Sequence, residues 1–213
     1  MEFLDIEIEK YVLDHTSTEP EILQKLNRET NAKVLMPRML SGHLQGRALS
    51  IFSKMISPMN ILEIGTYTGY SAICLAEGLQ EGGKIYTIDI NEELEQMVRE
   101  YLRDAGIENK TEYIIGNALE IIPQINKTFD LVFIDADKEN YLNYFNLAFE
   151  KVRPGGYFIA DNVLWSGKII EPIEKQDKDT KALTEFNEAI QNDSRVENVL
   201  LPIRDGLMII RKK

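Results

Sequence analysis

From about residue 60 onward, short apolar runs rich in β-branched residues alternate with longer amphipathic stretches, and this alternation constrains the fold more than any other feature of the chain. The runs are NILEIG (60–65), KIYTID (84–89), TEYIIG (111–116), FDLVFID (129–135) and GYFIAD (156–161). Between them lie stretches with helical spacing, such as NEELEQMVREYLRDAG (91–106) and ENYLNYFNLAFEKV (139–152). A strand covered on both faces reads as a continuous apolar run rather than an alternating one, so the pattern predicts a parallel sheet with helices on both sides. The C-terminus departs from it: RVENVLLPI, then RDG, then LMIIRKK reads as two strands joined by a tight connection, with Asp205-Gly206 supplying the turn. Before residue 60, three stretches with helical spacing (Glu2 to His15, Glu19 to Asn31, Ser41 to Ile56) predict a helical leader, with Pro20 and Pro37 near two boundaries.

With 213 residues and 44% hydrophobic content, the chain can bury one full core. It shows no internal repeat, low-complexity tract or linker, so a single domain over 1–213 is expected, with a leader and cap over 1–58 and a ligand-binding core over 59–213. A formal charge of -11 argues against partners that demand a positive footprint, namely nucleic acid and anionic membrane surfaces. MEFLDIEIEKYVLDH is acidic and lacks the basic start and apolar core of a signal peptide, and no apolar run approaches membrane-spanning length. Cys74 is the single cysteine, which excludes an intramolecular disulfide and a cysteine-rich metal site and suits a reducing compartment. The expectation is a soluble cytoplasmic protein.

In a parallel sheet of this kind, ligands bind beyond the carboxyl ends of the strands. The first strand runs into LEIGTYTGYS, where Gly65 and Gly69 let the backbone turn tightly and approach a ligand before a helix begins near Tyr70. The same glycines also fit an ordinary strand-helix turn. The second strand ends at Asp89, twenty residues past Gly69, where a carboxylate can accept from two ribose hydroxyls. Together these signals favour a nucleoside-containing cofactor. The spacing G-x-G-x-x-G is missing, because Thr66, Tyr67 and Thr68 fill the interval between the glycines, which makes a dinucleotide the weaker choice. Glu63, inside an otherwise apolar strand, needs donors or a cation, which an amino acid moiety or backbone amides would supply. Asn117 and Ala118 follow the third strand and would lie beside the base, although Asn117 equally suits the cap of a short helix ending before Pro123. Tyr67 and Tyr70 also read as surface aromatics.

Asp135 closes the fourth strand, and Asp161 and Asn162 close the fifth. Adjacent strand ends would bring two carboxylates and one amide oxygen together, a hard donor set suited to Mg²⁺, Mn²⁺ or Ca²⁺. Such a set leaves about three octahedral positions open, room for two neighbouring substrate oxygens and a water. His15 and His43 lie in the helical leader and read as surface or helix-end residues, and Asp137 reads as a helix cap. Lys138 falls three residues after Asp135, on the first turn of the next helix, and its place beside a metal site marks it as a functional residue.

LEIGTYTGYSA, IYTIDIN, FIDADKENY, ADNVLWSGK and LPIRDGLMIIRK, in this order and at these spacings, resemble the cation-dependent O-methyltransferases of the caffeoyl-CoA and catechol type. The resemblance runs from about Met36 to the C-terminus. It implies an α/β, Rossmann-like class I methyltransferase fold: a seven-stranded, mostly parallel sheet with an antiparallel last strand, helices on both faces and an N-terminal helical extension. It implies S-adenosylmethionine as cofactor, with Glu63, Gly65 and Ser71 at its methionine end, Asp89 at the ribose, Ala118 at the adenine and Ser41 nearby. The turn residues Thr66, Tyr67 and Gly69, together with Asn117, complete the candidate cofactor set. Asp135, Asp161 and Asn162 correspond to the ligands of a divalent cation, Asp135 also standing near the cofactor's amino group, and Lys138 corresponds to the catalytic base. A homodimer is a further implication.

The reaction implied is methyl transfer to a hydroxyl of a catechol-like small molecule, acidified by the cation and deprotonated with help from Lys138. Ser166 stands where plant caffeoyl-CoA enzymes carry asparagine, which separates this chain from that substrate assignment. SGKIIEPIEKQDKDTKAL (166–183) reads as a lid-like loop running into a helix. Two alternatives stand beside this reading: methylation of a hydroxylated uridine in tRNA, and a cofactor-binding protein without catalysis. Retention of Lys138 and of all three ligand types speaks against the second.

Overall fold

The computed structural model describes residues 5–213. The expected first helix begins at Glu2, and its residues 2–4 lie outside that range; the helix observed is α1 (Ile6–Asp14), capped by Asp5, whose carboxylate accepts from Glu7 N at 2.9 Å. The leader continues with α2 (Glu21–Lys33) and α3 (Gly42–Ile56).

Seven strands then alternate with helices in chain order: β1 (Asn60–Ile64), α4 (Tyr70–Ala76), β2 (Lys84–Asp89), α5 (Glu95–Asp104), β3 (Thr111–Ile115), α6 (Ala118–Gln124), β4 (Phe129–Ile134), α7 (Tyr141–Phe149), β5 (Val152–Asp161), α8 (Lys178–Asn192), β6 (Val196–Leu201) and β7 (Leu207–Lys212). They form one sheet of order β3-β2-β1-β4-β5-β7-β6. β1 to β5 pair in parallel, while β7 inserts antiparallel between β5 and β6. This is the mixed sheet expected from the sequence, with helices on both faces.

The two-residue period of each strand divides the core. Ile61, Ile85, Leu131, Phe133 and Ile159 face one side and pack with Leu23 and Leu26 of α2, Leu49 of α3, α4 residues such as Leu75, and Val98 and Leu102 of α5. Leu62, Ile64, Ile88, Val132, Ile134 and Phe158 face the other and pack with Ile122 of α6, Tyr141 and Phe145 of α7, and Phe186 of α8. β1, β2, β4 and β5 are therefore sandwiched, which is the physical source of their largely apolar runs, whereas β3 lies at the sheet edge with Glu112 exposed.

Local details depart from expectation at four places. Tyr70 is not a surface aromatic: it is 2% exposed, with its hydroxyl donating to the Glu19 carboxylate. α6 passes through Pro123 rather than ending before it; Pro123 is the next-to-last residue of the helix, so the N–H it lacks costs a single bond in the last turn. The β6–β7 connection has its left-handed residues at Arg204 and Gly206, with Gly206 N bonded to Ile203 O at 2.9 Å, so Asp205-Gly206 is not the central pair of the turn. Lys138 lies in a single 3-10 turn (Lys138–Asn140) ahead of α7, and Asp137 caps no helix N–H; its carboxylate accepts from Asn140 and Tyr144 instead.

Candidate active site

The carboxyl ends of β1, β2, β4 and β5 open into a cleft of about 1490 Å³. Gly65, Tyr67, Asp89, Asn117, Ala118, Asp135, Lys138, Asp161 and Asn162 all line it. This is the crevice that a doubly wound sheet leaves beyond its strand ends. Ser41, Glu63, Thr66, Gly69 and Ser71 do not line it; they form the layer behind, and Ser41, Glu63, Thr66 and Ser71 are buried.

The floor of the cleft depends on Gly65, whose φ is +99°. A Cβ there would stand 1.9 Å from the backbone oxygen of Asp135, so only glycine lets the β1 turn lie against the end of β4. Gly69, at φ +89°, starts α4 from a left-handed conformation, a backbone demand rather than a packing one, since its nearest neighbour would be 3.7 Å away. Between them Tyr67 N donates to Asp89 Oδ2 at 2.6 Å, and Asn91 N donates to Asp89 Oδ1 at 2.8 Å. Two backbone donors thus set the plane of the Asp89 carboxylate and leave lone pairs free toward the cleft. Asn117 Oδ1 accepts from Leu119 N at 3.0 Å, so Asn117 caps α6 while also lining the cleft.

Behind the turn, Thr87 Oγ1 donates to Glu63 Oε2 at 2.5 Å, and Thr66 Oγ1 and Thr87 Oγ1 share a second hydrogen bond. Glu63 is completely buried, and its Oε1 has no partner. Burial pushes its carboxyl up to about 8; Ser71 and Thr87 act against the rise, and the Asp135 and Asp89 charges add to it. An orphaned buried carboxylate oxygen in this place suits a ligand that brings a positive charge or a donor.

At the other end of the cleft, Lys138 Nζ donates to Asn162 Oδ1 at 2.9 Å, Asp135 Oδ1 at 3.1 Å and Tyr141 OH at 2.5 Å. Three donors thereby meet three acceptors, and the residue is only 7% exposed. Asn162 has φ +58°, a left-handed conformation that asparagine tolerates better than most residues, which turns its side chain back toward Lys138. Tyr141 OH donates onward to the Asp161 carbonyl at 3.0 Å. Burial, then the Asp135 and Asp161 charges, hold the Tyr141 phenol well above its ordinary range, so it stays protonated. The indole of Trp165 lies 5.7 Å from Lys138 Nζ, and Trp165 and Ser166 both have positive φ in the segment leaving β5.

Asp161 is 2% exposed, and burial followed by the neighbouring Asp135 charge raises its pKa, with Lys138, Gln45 and the Asn162 N–H pulling the other way. Two crowded carboxylates and an amide oxygen form a hard, electron-rich set, and the Lys138 ammonium already stands as a cation between Asp135 and Asn162. That donor chemistry fits a divalent ion. Among the described residues no three His, Cys, Asp or Glu side chains stand close enough to hold a metal, so such an ion would depend on Asn162 as well. His43 instead bonds Ser17 O at 2.7 Å, His15 ends α1, and Cys74 is buried in α4.

Tyr141, Trp165, Gln45 and Arg204 join the site without having been singled out in the sequence. Tyr141 and Trp165 fall inside the quoted motifs FIDADKENY and ADNVLWSGK and had that positional signal. Arg204 likewise falls inside LPIRDGLMIIRK, whereas Gln45 lies outside every quoted motif and had no such signal.

Known proteins share this chain's sequence pattern and fold. The family model described as O-methyltransferase matches residues 13–213. Caffeoyl-CoA O-methyltransferase 2 of Populus trichocarpa is 34% identical over 216 aligned residues, covering 95% of this chain and 87% of that protein. The crystal structure of the O-methyltransferase from Bacillus cereus in complex with SAH aligns with a TM-score of 0.89 at 30% identity, covering 97% of both chains. That of the O-methyltransferase TomG from Streptomyces achromogenes, in complex with SAM, gives 0.89 at 27% identity over 97% of this chain and 96% of that one. With a seven-stranded mixed sheet, a cleft at its carboxyl edge and a family match over nearly its whole length, the chain belongs to the O-methyltransferase family.

Proposed function

We propose that this protein transfers a methyl group from S-adenosylmethionine to one hydroxyl of a catechol-like small molecule, with a divalent cation, Mg²⁺ foremost, bound by Asp135, Asp161 and Asn162. The observation that carries the reading is the meeting of Lys138 Nζ with Asp135 and Asn162 in the lining of the cleft, with Asp161 on the adjoining strand end. The SAM- and SAH-bound relatives support the cofactor.

On this reading the Asp89 carboxylate, oriented by Tyr67 N and Asn91 N, accepts from the ribose hydroxyls. Glu63, Gly65 and Ser71 surround the methionine end, with Ser41, Thr66 and Gly69 shaping the wall behind, and Asn117 and Ala118 flank the adenine. When bound, S-adenosylmethionine would supply an electrophilic methyl, and a cation held by Asp135, Asp161 and Asn162 would acidify a hydroxyl close to it. Lys138, when its amine is neutral, takes the hydroxyl proton at Nζ. Loss of that proton would leave the oxygen lone pair free to take the methyl, the C–S bond breaking to a thioether as the O–CH₃ bond forms. Tyr141, Asp135 and Asn162 keep Nζ in place, and Trp165 walls the cleft beside it. Orientation of this kind contributes roughly 7–11 kcal/mol toward lowering a bimolecular barrier.

Among the described residues no helix is long and apolar enough to cross a membrane. A cytoplasmic homodimer working as a single-domain enzyme completes the reading. Methyl transfer from labelled S-adenosylmethionine to catechols, with and without EDTA, tests it: turnover that survives chelation overturns the cation's role, and no turnover on any vicinal diol overturns the substrate class.

A further inference from the structure

Gln45 is completely buried on α3, and its side chain ends on Asp161, 116 residues away in the chain. Nε2 donates to Asp161 Oδ2 at 2.6 Å, a short bond of the charge-assisted kind. On its other side Oε1 accepts from Arg204 Nη1 at 3.3 Å. The same nitrogen of Arg204 donates to Leu40 O at 3.1 Å and to Ser41 O. We propose that Gln45 is a positioning residue that sets the Asp161 carboxylate for a divalent cation, with Arg204 clamping the Gln45 amide. The inference rests on the cation reading of the site.

The chemistry of the three groups permits only one arrangement. A guanidinium has donors and no acceptor, and an ionised carboxylate has acceptors and no donor. An amide inserted between them must turn its oxygen to Arg204 and its NH₂ to Asp161. The reverse orientation would set two acceptors, Gln45 Oε1 and Asp161 Oδ2, against each other in a buried place.

Asp161 is held at three points. Gln45 takes Oδ2, Asn162 N donates to Oδ1 at 2.7 Å, and Tyr141 OH donates to the backbone oxygen at 3.0 Å. A carboxylate offers about four lone-pair sites, so each oxygen keeps one for a cation while the plane of the group is set. The alternative is that Gln45 only satisfies its own buried amide. That alternative predicts lost stability with unchanged cation affinity, whereas positioning predicts lost affinity. Because Arg204 also grips Ser41 O at the start of α3, the network links the cation site to the wall of the cofactor cleft.

The experiment titrates Mn²⁺ into the purified full-length protein by electron paramagnetic resonance, free of substrate and cofactor. Wild type, Asp161→Ala, Gln45→Leu, Gln45→Glu and Arg204→Met are compared, and S-adenosylmethionine affinity is measured in parallel by calorimetry without metal. Gln45→Leu removes the donor; Gln45→Glu keeps the pairing with Arg204 but sets a second acceptor against Asp161. Both should weaken Mn²⁺ binding about 10- to 100-fold, the usual effect of losing an outer-shell partner, with cofactor affinity unchanged. Arg204→Met, at an exposed residue, should weaken it toward the lower end of that range. Wild-type Mn²⁺ affinity in either soluble Gln45 variant overturns the inference; should both be insoluble, wild-type affinity in Arg204→Met does so. Mn²⁺ binding that is absent in wild type, or that survives Asp161→Ala, overturns the cation reading itself and the inference with it.

Discussion

Tyr141 accepts from Lys138: its phenolic oxygen lies 2.5 Å from the Lys138 ammonium, and both residues are buried. The phenol in turn donates a hydrogen bond to the Asp161 carbonyl. Tyr141→Phe removes the acceptor while keeping the ring packed against Phe186. We expect stability to fall by about 1 kcal/mol, the net worth of a typical hydrogen bond. We also expect kcat to fall by about 10-fold, since a looser Nζ is less often aligned for proton transfer. Denaturant unfolding and steady-state kinetics check both; an unchanged kcat would show that Asp135 and Asn162 suffice to hold the lysine.

Lys138→Ala removes the proton acceptor itself. It should lower kcat on the order of 10²-fold or more while S-adenosylmethionine binding persists. Chelation should abolish turnover, added Mg²⁺ or Mn²⁺ should restore it, and a monophenol should be a poor substrate because it offers the ion a single oxygen. Equal rates on monophenols and catechols would contradict this.

Asp89→Ala deletes the carboxylate that Tyr67 N and Asn91 N orient. Calorimetry should show S-adenosylmethionine binding weakened by about 10-fold or more, in line with 1.5–3 kcal/mol for hydrogen bonds to a charged group. Comparable or tighter binding of NAD by the wild-type protein would contradict the cofactor assignment.

Gly65→Ala places a Cβ 1.9 Å from the Asp135 backbone oxygen at a φ of +99°. Strain of this kind has no flexible neighbour to relieve it, so we expect destabilisation of at least about 2 kcal/mol. Thermal unfolding reads the loss, and a midpoint equal to wild type would show that the β1 turn can retreat from β4.

Glu63 gives the protein a pH signature. Its carboxyl is pushed up to about 8 in the fold by burial, against about 4.3 when unfolded. Between these values the folded state retains a proton that the unfolded state has released, so this group's contribution is present below about pH 4.3 and fades as pH rises through about 8. In Glu63→Gln that slope should vanish, and the variant should gain on wild type as pH rises across the window. Parallel pH dependences of urea unfolding for the two proteins would refute the assignment.

Much of this architecture was legible in the chain itself, because the physics is local in sequence. A strand covered on both faces must be apolar throughout, and a parallel strand must be followed by a crossover, so β1 to β5 and the helices between them announce themselves. Asp89, Asp135 and Asp161 each end an apolar run, and ligands gather at such ends, so three anchors of the cleft were readable from position alone. α3 shows where that legibility stopped. Its apolar Ile51 and Met55 are 53% and 76% exposed, whereas Gln45, Arg47, Ser50 and Ser53 face inward. Periodicity marks a face but not its surroundings, and here the inward face meets polar partners: Asp161, Glu77 and the carbonyl of Leu75. The contact of Gln45 with Asp161 across 116 residues, and the clamp on it from Arg204 in the β6–β7 connection, follow from how α3 docks on the sheet. Only the tertiary structure decides such pairs, because nothing in local sequence encodes which distant donor a buried carboxylate will meet.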